Sequence, residues 1–380
     1  MMAKPAMATE IPASIVTPDT VETRLGTLRF FDGFPDEETV RTVYDNLDFQ
    51  RAVQAYLAGL PAADTWGLRD GYRSFGPDNR TLLITESLMD SRTLYLVANT
   101  ETLYSMAWLD THDGPLVIEM PPDVLGCLND FWSRWVTDVG RAGPDRGAGG
   151  KYLLLPPGYS GEVPDGYFVL RSRTYGNAIF FRSFVENGDL RSAVENTEQH
   201  YRVYPLDRAA DPPAMDFAKV SGKYINTIPP SDASLFELVA TVVREEPLDA
   251  VDPETRGLLA AIGIRKDQPF APDARMQAIL AEAAAVGNAT ARAILFSTRE
   301  PDLYYYPDST WTMAYYGDDT EFSLGGVLDL DARTYYFSAT CHRGSAAGAS
   351  TCTYDTFDAC GGTGQPVTVA GAACGVATRT

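Results

Sequence analysis

Leu103-Tyr-Ser-Met-Ala-Trp-Leu-Asp-Thr-His-Asp-Gly-Pro-Leu-Val-Ile-Glu-Met120 decides the fold class. Two apolar runs, Leu103 to Leu109 and Leu116 to Met120, flank the turn-forming triplet His112-Asp113-Gly114. Short runs rich in β-branched and aromatic residues between such turns read as strands. The pattern continues in both directions from Asp70 to Tyr204, with runs at Leu82 to Thr85, Thr93 to Ala98, Phe131 to Thr137, Lys151 to Leu155, Tyr167 to Arg171 and Ala178 to Phe184. Gly140 to Gly150, Pro156-Pro157-Gly158 and Asn187-Gly188-Asp189 supply the later turns. Strands at this spacing predict an antiparallel sandwich. No helical pattern lies between them, which argues against a doubly wound sheet.

Helical signals flank this region. Asp36 after Pro35 reads as an N-cap, with Glu37 and Glu38 in the first turn. Val40, Val43, Tyr44 and Leu47, then Val53, Tyr56, Leu57 and Leu60, keep helical spacing up to Pro61, where the helix is expected to end. After Asp189, helices are predicted over Leu190 to Gln199, Ser231 to Glu246, Pro253 to Ile262 and Pro272 to Phe296, the last broken in two at Gly287-Asn288. Tyr304-Tyr305-Tyr306, Trp311, Tyr315-Tyr316 and Tyr335-Tyr336-Phe337 form a third, aromatic-dense stretch that reads as the entry to another β region.

Composition narrows the partners. The 380 residues carry 31 Lys and Arg against 51 Asp and Glu, a net charge of −20. That surplus opposes nucleic acid and anionic membrane surfaces, which demand clustered cations. No apolar run approaches the roughly 20 residues of a membrane span. Hydrophobic residues make up 45%, enough for a sizeable core. Met1 to Thr20 holds Pro5, Pro12 and Pro18 and no apolar stretch of secretory length, and reads as a flexible lead-in. A cytoplasmic location is the default expectation, a periplasmic one if a signal has been trimmed. Cys127 stands alone, while Cys341, Cys352, Cys360 and Cys374 crowd the end in a stretch of Gly, Ala, Ser and Thr. The four allow three disulfide pairings, or stay as thiols; their spacing gives no zinc pattern.

Several motifs nearly fit and fail. Gly150-Lys151 lacks the upstream glycine and the following Ser or Thr of a phosphate loop. Gly158-Tyr159-Ser160-Gly161-Glu162 misses the final glycine of a nucleophile elbow. His112, His200 and His342 are the only histidines, so a serine triad has few bases. No cofactor is implied, and no metal.

One polar cluster has chemical interest. Asn99, Thr102 and Tyr104 surround the acidic Glu101 at a strand start, and Asp110 follows. Glu101 and Asp110 would serve as an acid/base pair if their environments pushed their pKa values apart. Asn99, Thr102 and Tyr104 would bind a polar ligand, with Arg134 or Arg173 clamping an anionic group. The structural alternatives are an Asn turn, a capping Asp and surface ion pairs. In Phe131-Trp132-Ser133-Arg134-Trp135, strand alternation would put Trp132 and Arg134 on one face.

Longer stretches carry a family resemblance. Thr17-Pro-Asp-Thr-Val-Glu-Thr-Arg-Leu-Gly-Thr-Leu-Arg-Phe-Phe-Asp-Gly33, Val97-Ala-Asn-Thr-Glu-Thr-Leu-Tyr-Ser105, Gly140-Arg-Ala-Gly-Pro-Asp-Arg-Gly147 and Lys151-Tyr-Leu-Leu-Leu-Pro-Pro-Gly158 resemble bacterial proteins of the domain of unknown function 1254 family, which commonly pair that domain with the domain of unknown function 1214. The resemblance runs from about Thr17 to about Thr340 and implies an immunoglobulin-like β-sandwich, a helical region and a C-terminal jelly-roll-like domain. Many members carry Asp where Glu101 stands. After Thr340 the resemblance ends, so the C-terminal domain is expected to be incomplete and replaced by the Cys-containing tail.

The expected architecture is therefore mixed and mainly β. Residues 1–34 form a lead-in, 35–69 an N-terminal helix region, 70–205 the sandwich, 206–300 a helical region, 301–340 the start of a C-terminal β domain and 341–380 an atypical tail. The expected function is binding of a small polar molecule or glycan by the sandwich. A hydrolase or lyase using Glu101 and Asp110 is the alternative, and a non-functional truncated family member is a third reading. Aromatic flanks are compatible with a homo-oligomer.

Overall fold

In the computed structural model, which describes residues 12–90, 92–95, 98–99, 101–185, 187–304, 306 and 322–341, the chain opens with a small antiparallel sheet, β1 (Thr20–Thr23), β2 (Gly26–Phe31) and β3 (Phe34–Pro35). Helix α1 (Glu37–Arg73) follows. Then come β4 (Thr81–Ile84), β5 (Thr93–Leu94), β6 (Leu103–Asp110), β7 (Leu116–Met120), β8 (Val124–Asp130), β9 (Trp135–Gly140), β10 (Gly150–Leu155), β11 (Phe168–Arg171) and β12 (Gly176–Ser183). The rest of the described chain holds α2 (Leu190–His200), β13 (Arg202–Pro205), β14 (Asp216–Lys219), β15 (Ile225–Asn226), α3 (Ser234–Glu245), α4 (Pro253–Ala261), α5 (Ala274–Phe296), a hairpin of β16 (Ser323–Leu324) and β17 (Val327–Leu328), and α6 (Leu330–Cys341).

Two sheets meet face to face. The larger has the order β14-β4-β6-β12-β8-β9 and the smaller β11-β10-β7-β13. Alternation along each strand sends Leu103, Ala107 and Leu109 of β6, and Ile179 and Phe181 of β12, toward Ile118, Tyr152, Leu154 and Val203 of the other sheet. The opposite face of the larger sheet, with Tyr104, Met106, Trp108 and Ala178, packs on α1 in a second core that continues into α3, α4 and α5. Helices thus form a third layer, and the architecture is mixed α and β rather than mainly β. Pairing is mostly antiparallel, with parallel pairs at β10–β11, β4–β14 and β5–β15.

The helix α1 corrects the expected stop at Pro61. An interior proline removes one backbone bond and costs about 3 kcal/mol. Here the turns after it are almost wholly buried, from Leu60 through Thr65, and that packing outweighs the cost. Gly67 and Gly71, one turn apart, let the backbone of Asn226 and Thr227 approach: an added Cβ would lie 2.2 Å from the Thr227 carbonyl oxygen at Gly67 and 2.8 Å from that of Asn226 at Gly71. The helix therefore crosses the boundary drawn at residue 70.

Other expectations change for local reasons. The break at Gly287 is absent, because that glycine makes room for the Tyr56 ring rather than ending α5; an added Cβ would sit 2.6 Å from the ring. By length and composition α5 is apolar enough to cross a membrane, but Leu280, Ala283, Ala284, Ala291 and Leu295 are buried in the fold. Residues 124–130 form a strand, and Phe131 to Arg134 turn between β8 and β9, with Ser133 at φ 57°. Trp132 and Arg134 therefore share no strand face. The lead-in contains β1, β2 and part of β3, and β14 and β15 extend sheets beyond residue 205 into the supposed helical region. Tyr335-Tyr336-Phe337 lies in α6, not a strand; Asp329 accepts the Ala332 N–H at its start, and Tyr335 and Phe337 are buried. Trp311, Tyr315, Tyr316, the Cys-containing tail from residue 342 and the reading of it as a replacement lie outside the described residues.

Candidate functional site

The residues predicted as one site fall at two ends of the larger sheet. Glu101 precedes β6 and Asp110 closes it. Seven strand steps of about 3.3 Å put the two ends of β6, Leu103 and Asp110, about 23 Å apart, and Glu101 lies beyond the Leu103 end. The structure does not bring this pair together, so it cannot act as an acid/base couple across one bond.

At the Asp110 end the side chains are committed to one another. The Asp110 carboxylate accepts the backbone N–H of His112 at 2.9 Å and lies 2.6 Å from its Nδ1, while the His112 ring stacks on Tyr175 at 4.1 Å. Arg134 pairs with the buried Asp130 at 2.6 Å and donates to the Ala250 carbonyl at 2.6 Å. Its guanidinium ties the β8–β9 turn to the helical layer and is not held out for an anion. Arg173 is exposed on the β11–β12 loop and joins neither group. Nearby, Glu246 accepts the N–H groups of Tyr175 at 2.6 Å and Gly176 at 3.0 Å, pinning the end of α3 to the start of β12.

Burial pushes the Glu246 carboxyl up to about 7, although those two N–H groups pull the other way; the Asp138 carboxyl, also raised by burial, sits at about 6. A carboxyl that binds its proton more tightly in the fold stabilises in full below its unfolded value of 4.5, and loses that contribution as pH rises through about 7. The melting temperature is expected to fall between pH 4.5 and 7. Glu246→Gln, with nothing to titrate, should have a shallower slope across that window even though its absolute stability is lower. Parallel slopes for the two proteins, measured by thermal melts at half-unit intervals, would assign the dependence elsewhere.

At the other end, three of the five predicted ligand residues, Asn99, Thr102 and Tyr104, come together. The Asn99 Oδ1 accepts from the Glu101 N–H at 3.0 Å and from the Thr102 N–H and hydroxyl at 2.9 Å each. This is a side-chain-stabilised turn. The Asn99 N–H donates to the Tyr104 hydroxyl at 3.1 Å, and the Tyr104 N–H donates to Thr85 Oγ1 at 2.8 Å. Glu101 points to solvent.

Beneath this turn α1, β12 and the residue that follows β5 add groups that sequence reasoning missed. The Tyr95 ring lies 6.3 Å from that of Tyr104, and the Arg182 guanidinium lies 5.7 Å from the same ring. The Tyr72 hydroxyl adjoins that of Tyr95, and Asp64 is close enough to act on both phenols electrostatically. Burial holds both phenols well above the usual tyrosine range. Asp64, Tyr72, Tyr104 and Arg182 are all less than a tenth exposed. Three phenols, a carboxylate and a guanidinium form a donor-and-acceptor set inside an otherwise apolar interface. A signal was present in the sequence: Arg182 interrupts an apolar strand and Asp64 an Ala-rich helical stretch, and buried charges demand partners.

Residues 79–205, from just before β4 to the end of β13, match the family described as "Protein of unknown function (DUF1254)". The resemblance read from the sequence is thus shown for this segment, which holds Tyr95, Asn99, Tyr104, Asp110 and Arg182. Among solved structures, the chain is similar to the VPA0106 protein from Vibrio parahaemolyticus at 15% identity and a TM-score of 0.52, over 77% of this chain and 66% of that one. The chain therefore spans just under two thirds of the Vibrio protein, and at this identity the likeness concerns the fold alone. A putative uncharacterized protein from Burkholderia cenocepacia matches at 13% identity and a TM-score of 0.23, over 46% of this chain and 52% of that one. No curated protein matches.

Proposed function

We propose that the protein binds a small polar, hydroxyl-rich molecule, a glycan unit or polyol, at the tyrosine cluster beneath the Asn99 turn. The observation that carries this reading is the convergence of Tyr72, Tyr95 and Tyr104 with Asp64 and Arg182 at one end of the helix–sheet interface. Aromatic faces that also carry hydroxyls suit sugar rings, and a carboxylate with a guanidinium supplies acceptors and donors of both signs. Asn99 and Thr102 shape the rim. The immunoglobulin-like reading of the two sheets belongs to the same proposal, supported by their face-to-face packing around one apolar core. A hydrolase or lyase built on Glu101 and Asp110 is not favoured, because no single ligand of small size spans both.

Calorimetric titration with glucose, N-acetylglucosamine, cellobiose and myo-inositol tests this. At least one should bind saturably without chemical change. Tyr95→Phe, which removes only a hydroxyl, should weaken that binding about fivefold, the worth of one neutral hydrogen bond. Its melting temperature should stay close to that of the unsubstituted protein. No binding by any of the four, or undiminished binding by the variant, would sink the reading. Product detected by mass spectrometry would replace it with an enzymatic one.

A further inference from the structure

A cavity of about 880 Å³ lies between the middle of α1, the start of α4, the second half of α5 and the start of α6. It is separate from the tyrosine cluster and outside the segment that matches the family. Its size suits a small organic ligand. Leu57, Leu258, Ile294, Leu328 and Leu330 supply apolar wall.

The polar groups around it are unevenly satisfied. Arg299 is largely exposed and already paired with Asp331 at 2.9 Å. The Asp252 Oδ1 accepts the N–H groups of Glu254 and Thr255 at 3.0 Å each, capping α4. Arg333 differs. Its Nε is buried and has no hydrogen-bond partner among the described residues. Burial also pulls its guanidinium below the usual arginine range, against the attraction of Asp252. Arg333 lines the cavity and its guanidinium makes no hydrogen bond or ion pair among the described residues, so its N–H groups other than the enclosed Nε are the donors left for an acceptor delivered by a ligand.

We propose that this cavity binds a small amphiphilic monocarboxylate, with its carboxylate on Arg333 and its hydrocarbon chain against Leu57, Leu258 and Ile294. The apolar walls select the chain. With Asp331 paired to Arg299, Arg333 is, among the described residues, the one lining cation left for a ligand carboxylate, and Asp252 and Glu254 repel a second negative charge and so disfavour dicarboxylates.

Octanoate is the probe, with octanol and suberate as the uncharged and doubly charged comparisons. Calorimetry on the full chain should show saturable octanoate binding that is at least about tenfold tighter than either comparison. Arg333→Met should weaken octanoate at least about tenfold, and Arg299→Gln should leave it within about twofold. Should Arg333→Met fail to fold by circular dichroism, Ala293→Phe, which fills the cavity from an exposed position on α5, should abolish binding instead. Absence of octanoate binding, equal binding of octanol or suberate, or binding that survives Arg333→Met or Ala293→Phe overturns the proposal. These outcomes are independent of the sugar titration, since the two sites share no residue.

Discussion

Gly67→Ala is expected to destabilise the protein by at least about 3 kcal/mol, a fall of roughly 4 °C or more in melting temperature. The sign is the informative part. Glycine inside a helix is ordinarily worse than alanine by about 1 kcal/mol, so the substitution would normally stabilise. At Gly67 the new Cβ would stand 2.2 Å from the Thr227 carbonyl oxygen and 3.2 Å from Pro229, and backbone cannot rotate out of the way. The comparison is Gly257→Ala in α4, where nothing lies within 4 Å. That variant should gain about 0.5–1 kcal/mol. If both variants melted higher than the parent, the close approach of residues 226–227 to α1 would be wrong.

Arg69→Met should cost about 3 kcal/mol, near the low end for breaking a buried ion pair. Arg69 is 6% exposed, with its guanidinium 4.7 Å from the Phe131 ring and 5.9 Å from the rings of Trp66 and Trp108. It also forms a salt bridge with Glu245, whose side chain is 40% exposed. The two partners are therefore unequal. Removing Arg69 deletes contacts with three aromatic rings as well as the bridge. Glu245→Gln leaves the rings in place and a half-solvated partner free to relax, and should cost under about 1 kcal/mol. Denaturant unfolding of both variants separates the contributions. Equal losses would mean that the ion pair, and not the aromatic enclosure, holds Arg69.

Much of the fold was legible where one physical signal acted alone. Strands β6 and β7, α2 and α4 fall within a residue or two of expectation, because alternation, turn triplets and caps all agree there. Reading failed where local rules met tertiary packing. Pro61 and Gly287 are helix breakers by propensity, yet both sit in close helix contacts that propensity cannot register. Phe131 to Arg134 has the composition of a strand, but the Asp130 carboxylate accepts the N–H groups of Trp132 at 2.8 Å and Arg134 at 3.0 Å and folds the stretch into a turn. The candidate site was half legible. Asn99, Thr102 and Tyr104 lie side by side in sequence and in space. Asp64, Tyr72 and Arg182 come from α1 and β12, and only tertiary structure joins them to that turn.

The order of strands in the larger sheet bears on how the chain is made. Strand β4 receives its outer neighbour β14 only after more than a hundred intervening residues, and β5 waits similarly for β15. Helix α1 is synthesised before the two large sheets, yet its Tyr56, Leu60 and Ala63 find cover only when α3 and α5 emerge. On the ribosome, the sheet edge at β4 and one flank of α1 thus stay bare through most of translation. Long-range pairing of this kind folds slowly and exposes surface that invites aggregation. The matched segment 79–205, cut out and produced alone, would lack both α1 and β14, and would emerge with an apolar face and an open edge rather than as an autonomous folding unit.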